Sequence, residues 1–205
     1  MNRLSIPGLL LAASLASAQD MPLHDIVKPG EDWKPHAGEV PAHPAGGFHV
    51  DIRNRLMSKS GESLHHPLKV PTCCAVALGG STLLVADAED RYVWALRIEK
   101  DGSLGPGDRY CRLRVKGDDR RKTGAPPEAY RAEPSAMTVD SANRTYVATN
   151  LGIQVFDPTG RLCGVITAPP GRVYELAFDG DRLFARVGDE KYVRQMLAEG
   201  IAAKK

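Results

Sequence analysis

The sequence predicts an all-β protein in which a small sheet repeats along the chain. Short apolar segments alternate with turns that contain Gly, Asp or Asn, as expected for strands joined by hairpins. The same succession of strands recurs from about residue 39 onward. Each copy is too small to bury its own faces, so the copies must pack on one another to form a core.

Three copies of the repeat are clear and a fourth is weaker. The strands of the clearest copy are Ala75–Leu78, Thr82–Asp87 and Tyr92–Ile98. The strands of the next two copies are Ala136–Val139, Thr145–Thr149, Gly152–Asp157, Val173–Phe178, Arg182–Val187 and Lys191–Met196. The weaker copy lies in front of the others and comprises Phe48–Asp51 and Asn54–Met57.

Turn chemistry supports these hairpins, but strand spacing leaves two architectures open. Asp157–Gly160 and Lys100–Gly102 are turns with Gly where a positive φ is wanted. Small sheets can pack radially around an axis, as in a β-propeller, or face to face, as in a β-sandwich. The periodicity of the strands favours neither arrangement.

The chain begins with a segment typical of an export signal. Arg3 precedes an apolar run over Leu4–Leu15, and Ala16 and Ala18 are small residues at the positions that signal peptidase reads. We therefore predict a signal peptide over residues 1–18 and a secreted or periplasmic protein. A membrane anchor is the alternative, although the run is well short of the roughly 20 apolar residues that cross a bilayer. No later segment is apolar enough to span a membrane.

The remaining chain divides into three parts by composition. Residues 19–38 form an extended lead-in in which prolines interrupt any helix. The repeated sheets occupy residues 39–197, and residues 198–205 form a polar tail that is expected to fray. The charged segment Lys116–Glu133 has no apolar period and is predicted to be a long loop between sheets.

The charge and the cysteine content of the chain indicate which ligands and cross-links to expect. The formal net charge of +2 gives no electrostatic footprint for nucleic acid. Four cysteines in an exported chain permit disulfides, and Cys111–Cys163 is the most plausible pair. Small buried thiols are an equally good interpretation. The adjacent Cys73-Cys74 and His65-His66 could together hold a soft metal, although their spacing matches no zinc motif.

Several segments of the repeats carry the pattern of a known family. They are Ala136–Asp140, Tyr146–Asp157, Gly160–Ile166 and Leu176–Phe178, with Leu83–Asp87 and Asp101–Leu104 upstream. Together they resemble the family of gluconolactonase, regucalcin and luciferin-regenerating enzyme. The resemblance covers about residues 70 to 197 and, more thinly, Val27–Ser63. It implies a six-bladed β-propeller with a divalent metal in its axial channel, and so favours the propeller over the sandwich.

The resemblance also implies a site. Members of the family open sugar lactones with a cation that polarises the carbonyl and a carboxylate that activates water. Glu39 matches a metal-binding Glu of the family, whereas Cys74 stands at the position of an Asn ligand. Ser135 replaces an Asp that serves as ligand and general base, and serine is no base at neutral pH. A thiol is a poor calcium ligand although a thiolate suits zinc, so the implied calcium or zinc site is weakened.

The length of the chain limits the number of blades, and three hypotheses of function remain. Blades take about 40 to 45 residues each, which leaves room for about three to four in the mature chain. The propeller would then be open, and the unpaired edge strands of its blades would be available to pair with a second copy of the chain. The protein is a metal-dependent hydrolase of a small sugar lactone with weakened or lost activity, a non-catalytic propeller that binds or scaffolds, or a truncated product without a stable fold.

Overall fold

The computed structural model describes residues 22–41, 46–116 and 131–201. Within these ranges the chain consists of strands and turns, with short 3-10 turns at Leu23–Asp25 and Leu78–Gly80. None of the helical segments in this part of the chain is long and apolar enough to cross a membrane. The predicted signal peptide at 1–18 and most of the predicted loop at Lys116–Glu133 lie outside the described residues.

The strands form three four-stranded antiparallel sheets and one short hairpin. Blade A contains β4 (Pro71–Ala77), β5 (Thr82–Asp87), β6 (Tyr92–Ile98) and β7 (Leu104–Arg112). Blade B contains β8 (Ala136–Val139), β9 (Thr145–Thr149), β10 (Gly152–Phe156) and β11 (Leu162–Ile166). Blade C contains β12 (Val173–Asp179), β13 (Arg182–Val187), β14 (Glu190–Gln195) and β1 (Lys34–Pro35). The hairpin pairs β2 (His49–Val50) with β3 (Leu56–Met57).

Each of the three clear copies of the repeat is confirmed and gains a fourth, outer strand. In blades A and B this strand, β7 or β11, follows the third strand in the chain. In blade C it is β1, which pairs Lys34 with Val193 and Pro35 with Tyr192. The predicted lead-in at 19–38 therefore supplies a strand to the last blade and ties the two ends of the described chain together.

The weak fourth copy forms only a partial blade. In the β2–β3 hairpin His49 lies opposite Met57. An isolated β-bridge pairs Met57 with Ser63 beside this hairpin. Three blades and a partial blade are consistent with the predicted three to four.

Three hydrophobic cores lie between neighbouring sheets, which shows that the sheets pack radially. One core joins the partial blade to blade A through Phe48, Leu56 and Leu83. The second core lies between blades A and B, and the third between blades B and C. The inner strands β4, β8 and β12 contact one another in that order. The propeller interpretation is confirmed, because a sandwich would have a single core between two sheets.

All four cysteines are free thiols; three are buried and Cys163 is partly buried. Successive strand residues face opposite sides of a sheet. Cys73 therefore lies in the core between blades A and B, whereas Cys74 lies in the core beside the partial blade. Cys111 belongs to the first of these cores, but Cys163 packs on the core at the other side of blade B. The expected Cys111–Cys163 bridge is thus not formed.

A five-residue turn with the pattern Asp-x-x-x-Arg recurs at three strand ends. The copies are Asp51–Arg55, Asp140–Arg144 and Asp157–Arg161. In each, one carboxylate oxygen accepts hydrogen bonds from the backbone N–H groups two and four residues later. The other oxygen accepts from the arginine Nε. The fourth residue has a positive φ and is Asn or Gly, which adopt this conformation most readily.

A buried glutamine links blades A and B. Gln154 on β10 is fully buried, and its side chain accepts a hydrogen bond from the Arg114 N–H at 2.8 Å and donates one to the Arg114 carbonyl at 2.9 Å. The side-chain amide thus forms the two backbone hydrogen bonds that a paired strand residue would form, and it holds the segment after β7 against blade B.

The described part of the predicted polar tail is packed. Ala198 is buried in the core between blades B and C. Backbone bonds run from the Ser141 N–H to the Glu199 carbonyl and from the Gly200 N–H to the Gly180 carbonyl. These contacts hold residues 198–200 against blades B and C.

Candidate functional site

A cavity of about 570 Å³ opens where the inner strands of the blades begin. It is lined by the first residues of β4, β8 and β12, by β2, and by Val40 and Pro41. Because the partial blade and all three blades contribute to its wall, the cavity lies at one end of the axis of the propeller. We call it the channel mouth.

Two β-bulges shape the channel mouth. The pairing of β4 with β5 shifts between Pro71 and Cys73, and that of β12 with β13 shifts between Val173 and Glu175. Thr72 and Tyr174 are the extra residues at these shifts. A bulge changes the direction of the side chains beside it. Thr72, Cys73 and Cys74 line the cavity from blade A, and Tyr174 to Ala177 line it from blade C.

The thiols at the channel mouth are protonated at neutral pH. Cys73 and Cys74 both line the cavity, yet each is at most 9% exposed. Burial raises the pKa of both thiols to about 12. The thiolate is the form that binds metals and attacks electrophiles. As a neutral thiol, Cys74 is suited to lining the cavity rather than to ligating a cation.

Ser135 lies where two cavities meet. It is partly buried, and its N–H donates a hydrogen bond to the Ala148 carbonyl at 3.0 Å. It lines both the channel mouth and a second cavity of about 610 Å³ between blades B and C. Its hydroxyl can donate or accept a hydrogen bond, but it supplies no negative charge.

Glu39 lies apart from the other two predicted site residues. Its side chain is 90% exposed and forms an ion pair with Lys191 of β14 at 2.7 Å. The hydrogen bond from Lys191 lowers the pKa of the Glu39 carboxyl. The next two residues, Val40 and Pro41, line the channel mouth, but Glu39 does not. The structure thus brings Cys74 and Ser135 together and leaves Glu39 outside the cavity.

Glu175 supplies the carboxylate of the channel mouth and was not singled out from the sequence. It is the one Asp or Glu among the described residues that line this cavity. Arg186 on the neighbouring strand β13 donates a hydrogen bond to it at 2.7 Å and another to the Gly188 carbonyl. The Arg186 guanidinium also lies over the Tyr174 ring at 5.7 Å. Its place in the cavity goes with a bulge in β12, and a bulge cannot be recognised from the pattern of residues in a strand.

The donors at the channel mouth do not fit a hard divalent cation. Calcium takes six to eight oxygen ligands, several of them carboxylates. The described lining offers one carboxylate, already paired with Arg186, together with hydroxyls, the His49 imidazole and protonated thiols. Across the described ranges no group of three or more His, Cys, Asp or Glu side chains could hold a metal ion. Of the two predicted metal ligands, Cys74 lines the cavity and Glu39 does not.

Comparison with solved structures identifies the fold. No family model and no curated protein matches the sequence. The gluconolactonase XC5397 from Xanthomonas campestris is 21% identical, with a TM-score of 0.51 over 69% of this chain and 43% of that one. The calcium-binding protein regucalcin from Agrobacterium tumefaciens is 14% identical, with a TM-score of 0.52 over 72% of this chain and 53% of that one. A luciferin-regenerating enzyme is 15% identical, with a TM-score of 0.51 over 77% and 54% of the two chains.

These similarities confirm the resemblance at the level of fold. The protein has the propeller fold of gluconolactonase, regucalcin and luciferin-regenerating enzyme structures. The chain spans about half the length of the structures that it matches.

Proposed function

We propose that the protein is an exported, non-catalytic propeller that binds a small hydroxylated ring, such as a sugar or sugar lactone, at the channel mouth. The observation that carries the proposal is the chemistry of the lining. Thr72 and Ser135 supply hydroxyls, Glu175 supplies an acceptor, and Phe48 and Leu176 supply apolar surface. A cavity with apolar walls and a few convergent polar groups is the usual form of a small-molecule site.

The volume of the cavity and its charge suit such a ligand. About 570 Å³ accommodates a single sugar ring with space for water. Because Glu175 is paired with Arg186, the site presents little net charge, which favours a neutral ligand. The buried thiols add soft apolar surface and no reactive group at neutral pH.

The second candidate is a metal-dependent lactone hydrolase with weakened activity. Similarity of fold to a gluconolactonase and to regucalcin favours it. The replacement of a carboxylate by Ser135 and the pairing of Glu39 with Lys191 oppose it, because both remove negative charge that would hold and use a cation.

One experiment separates the two candidates. Purified protein is mixed with gluconolactone in the presence of EDTA or of added calcium, zinc or manganese, and both melting temperature and lactone opening are followed. We expect the melting temperature to rise with lactone in every condition, with no opening above the uncatalysed rate. Metal-dependent turnover that is lost in Glu39→Gln would support the hydrolase and overturn the binding module.

Pairing of two copies through blade edges stays a prediction. The outer strands β7 and β11 end their sheets without a further strand among the described residues. Such edges can pair with another chain. Light scattering over a range of concentrations tests this, and a monomer at every concentration would exclude it.

A further inference from the structure

The structure points to a specific ligand-orienting pair, and this inference rests on the proposed function. We infer that Glu175 and Tyr174 bind the ring itself, Glu175 by accepting hydrogen bonds from two adjacent hydroxyls and Tyr174 by packing on an apolar face of the ring. The ligand class is a neutral ring with neighbouring hydroxyl groups.

The first argument is the position of the two residues. Tyr174 and Glu175 both line the channel mouth, and both are about half exposed. The pairing of β12 with β13 shifts between Val173 and Glu175, so Tyr174 is the extra residue of a bulge. Bulges of this kind are common beside functional sites, where they redirect a side chain.

The second argument is that Arg186 fixes the carboxylate and leaves room for a ligand. Arg186 uses one terminal nitrogen on Glu175 Oε1 at 2.7 Å and the other on the Gly188 carbonyl at 3.0 Å. A carboxylate has about four acceptor sites, so this single bond leaves most of them available. The Glu175 side chain is 49% exposed, which allows it to reach a ligand hydroxyl.

The third argument concerns Tyr174, which is unusually exposed for its size. It is 52% exposed at the rim of the cavity. Its ring has Arg186 at 5.7 Å from its centroid. An aromatic ring with an open face supplies a flat apolar surface for the C–H side of a sugar, while its edge and hydroxyl stay in water.

A simpler explanation is that Glu175 and Arg186 form an ordinary cross-strand ion pair. The same β12–β13 hairpin offers a matched comparison, because Asp179 and Arg182 form a similar pair at its other end. That pair is about equally exposed and does not line the channel mouth. If both pairs are only structural, mutation of either should change the melting temperature alike and leave ligand binding unchanged. If Glu175 binds the ligand, only its mutation should weaken ligand binding.

The test is a calorimetric titration of the full chain with D-glucose, gluconolactone and gluconate. We expect Glu175→Gln to weaken binding of the neutral rings about tenfold or more, as expected when a charged hydrogen bond to a ligand is lost. Tyr174→Ala should have a similar effect, and Tyr174→Phe should retain binding because the ring face is kept. Asp179→Asn is the control and should bind like the wild type.

The outcomes distinguish the inference from the function on which it rests. If the wild type binds a neutral ring and Glu175→Gln binds it equally well, the orienting pair is wrong and the binding function stands. If the wild type binds none of the three compounds, the proposed function fails and the inference with it. Equal melting temperatures of Glu175→Gln and Asp179→Asn exclude a difference in folding as the cause.

Discussion

The two ends of strand β8 differ in how they use acidic groups. At one end Ser135 stands at the channel mouth, with a hydroxyl where the resemblance implies a carboxylate. At the other end Asp140 is fully buried and accepts hydrogen bonds from two backbone N–H groups, from Arg144 and from the Tyr146 hydroxyl. The Asp-x-x-x-Arg turn of this end recurs twice elsewhere in the chain.

Asp140 therefore helps to build the fold, because without it buried donors would have no hydrogen-bond partner. A carboxylate at position 135 would instead be available to a ligand in the cavity. The following predictions test this division, beginning with the largest expected effect.

Removal of the buried turn carboxylate should be the most damaging change. Asp140→Ala leaves Arg144, which is 6% exposed, without its partner and deprives the Tyr146 hydroxyl of its acceptor. Breaking a buried ion pair from one side costs about 3–5 kcal/mol of unfolding free energy. Urea denaturation of the two proteins measures the loss. A cost as small as that of Asp51→Ala would contradict the role of burial.

The same turn in more exposed surroundings should matter less. Arg161 is 50% exposed, so the Asp157–Arg161 pair is largely screened by water and contributes at most about 1 kcal/mol. Asp157→Asn keeps an oxygen for the backbone N–H groups but removes the charge and the acceptor for the Arg161 Nε. We expect a small drop in melting temperature, well below that of Asp140→Ala. Equal drops in the two variants would show that burial does not set the cost.

Acid should weaken the turns built on Asp51 and Asp157 in a defined range of pH. Burial opposes ionisation of Asp157, but hydrogen bonds from Thr159 and Arg161 outweigh it and lower its pKa. Hydrogen bonds from Arg55 lower the pKa of Asp51. A carboxyl whose pKa is lowered by folding stabilises the protein above its unfolded pKa of about 4, and this stabilisation is lost as the pH falls through the folded pKa. Melting temperature should therefore decline below about pH 4, and less so in Asp157→Asn.

Restoring a carboxylate at the channel mouth should have the smallest effect. Ser135→Asp places a second acidic group in the cavity that Glu175 lines. We expect calcium to raise the melting temperature of this variant slightly and to leave the wild type unchanged, because oxygen ligands of negative charge are what calcium requires. An equal rise in the melting temperature of the wild type with calcium would contradict this, because it would show that the channel mouth already binds a cation.

The sequence predicted the strands well because their signal is local. The apolar segments of blades A, B and C and the turn at Asp157 depend on neighbours in the chain, and all are found where expected. Strand β1 was missed because its partner β14 lies far away in the chain. The register shift at Glu175 was missed because it depends on how β12 meets β13, which no pattern within β12 reveals. Glu39 illustrates the same limit, since its pairing with Lys191 is a contact between distant segments.

The most direct test of the account is the melting temperature of the wild-type protein with a neutral sugar ring in the presence of EDTA. We predict that D-glucose or gluconolactone raises the melting temperature to the same extent in EDTA and in calcium. A rise that disappears in EDTA and returns with calcium would show that a cation holds the ligand, and would contradict a site built from hydroxyls, Tyr174 and Glu175.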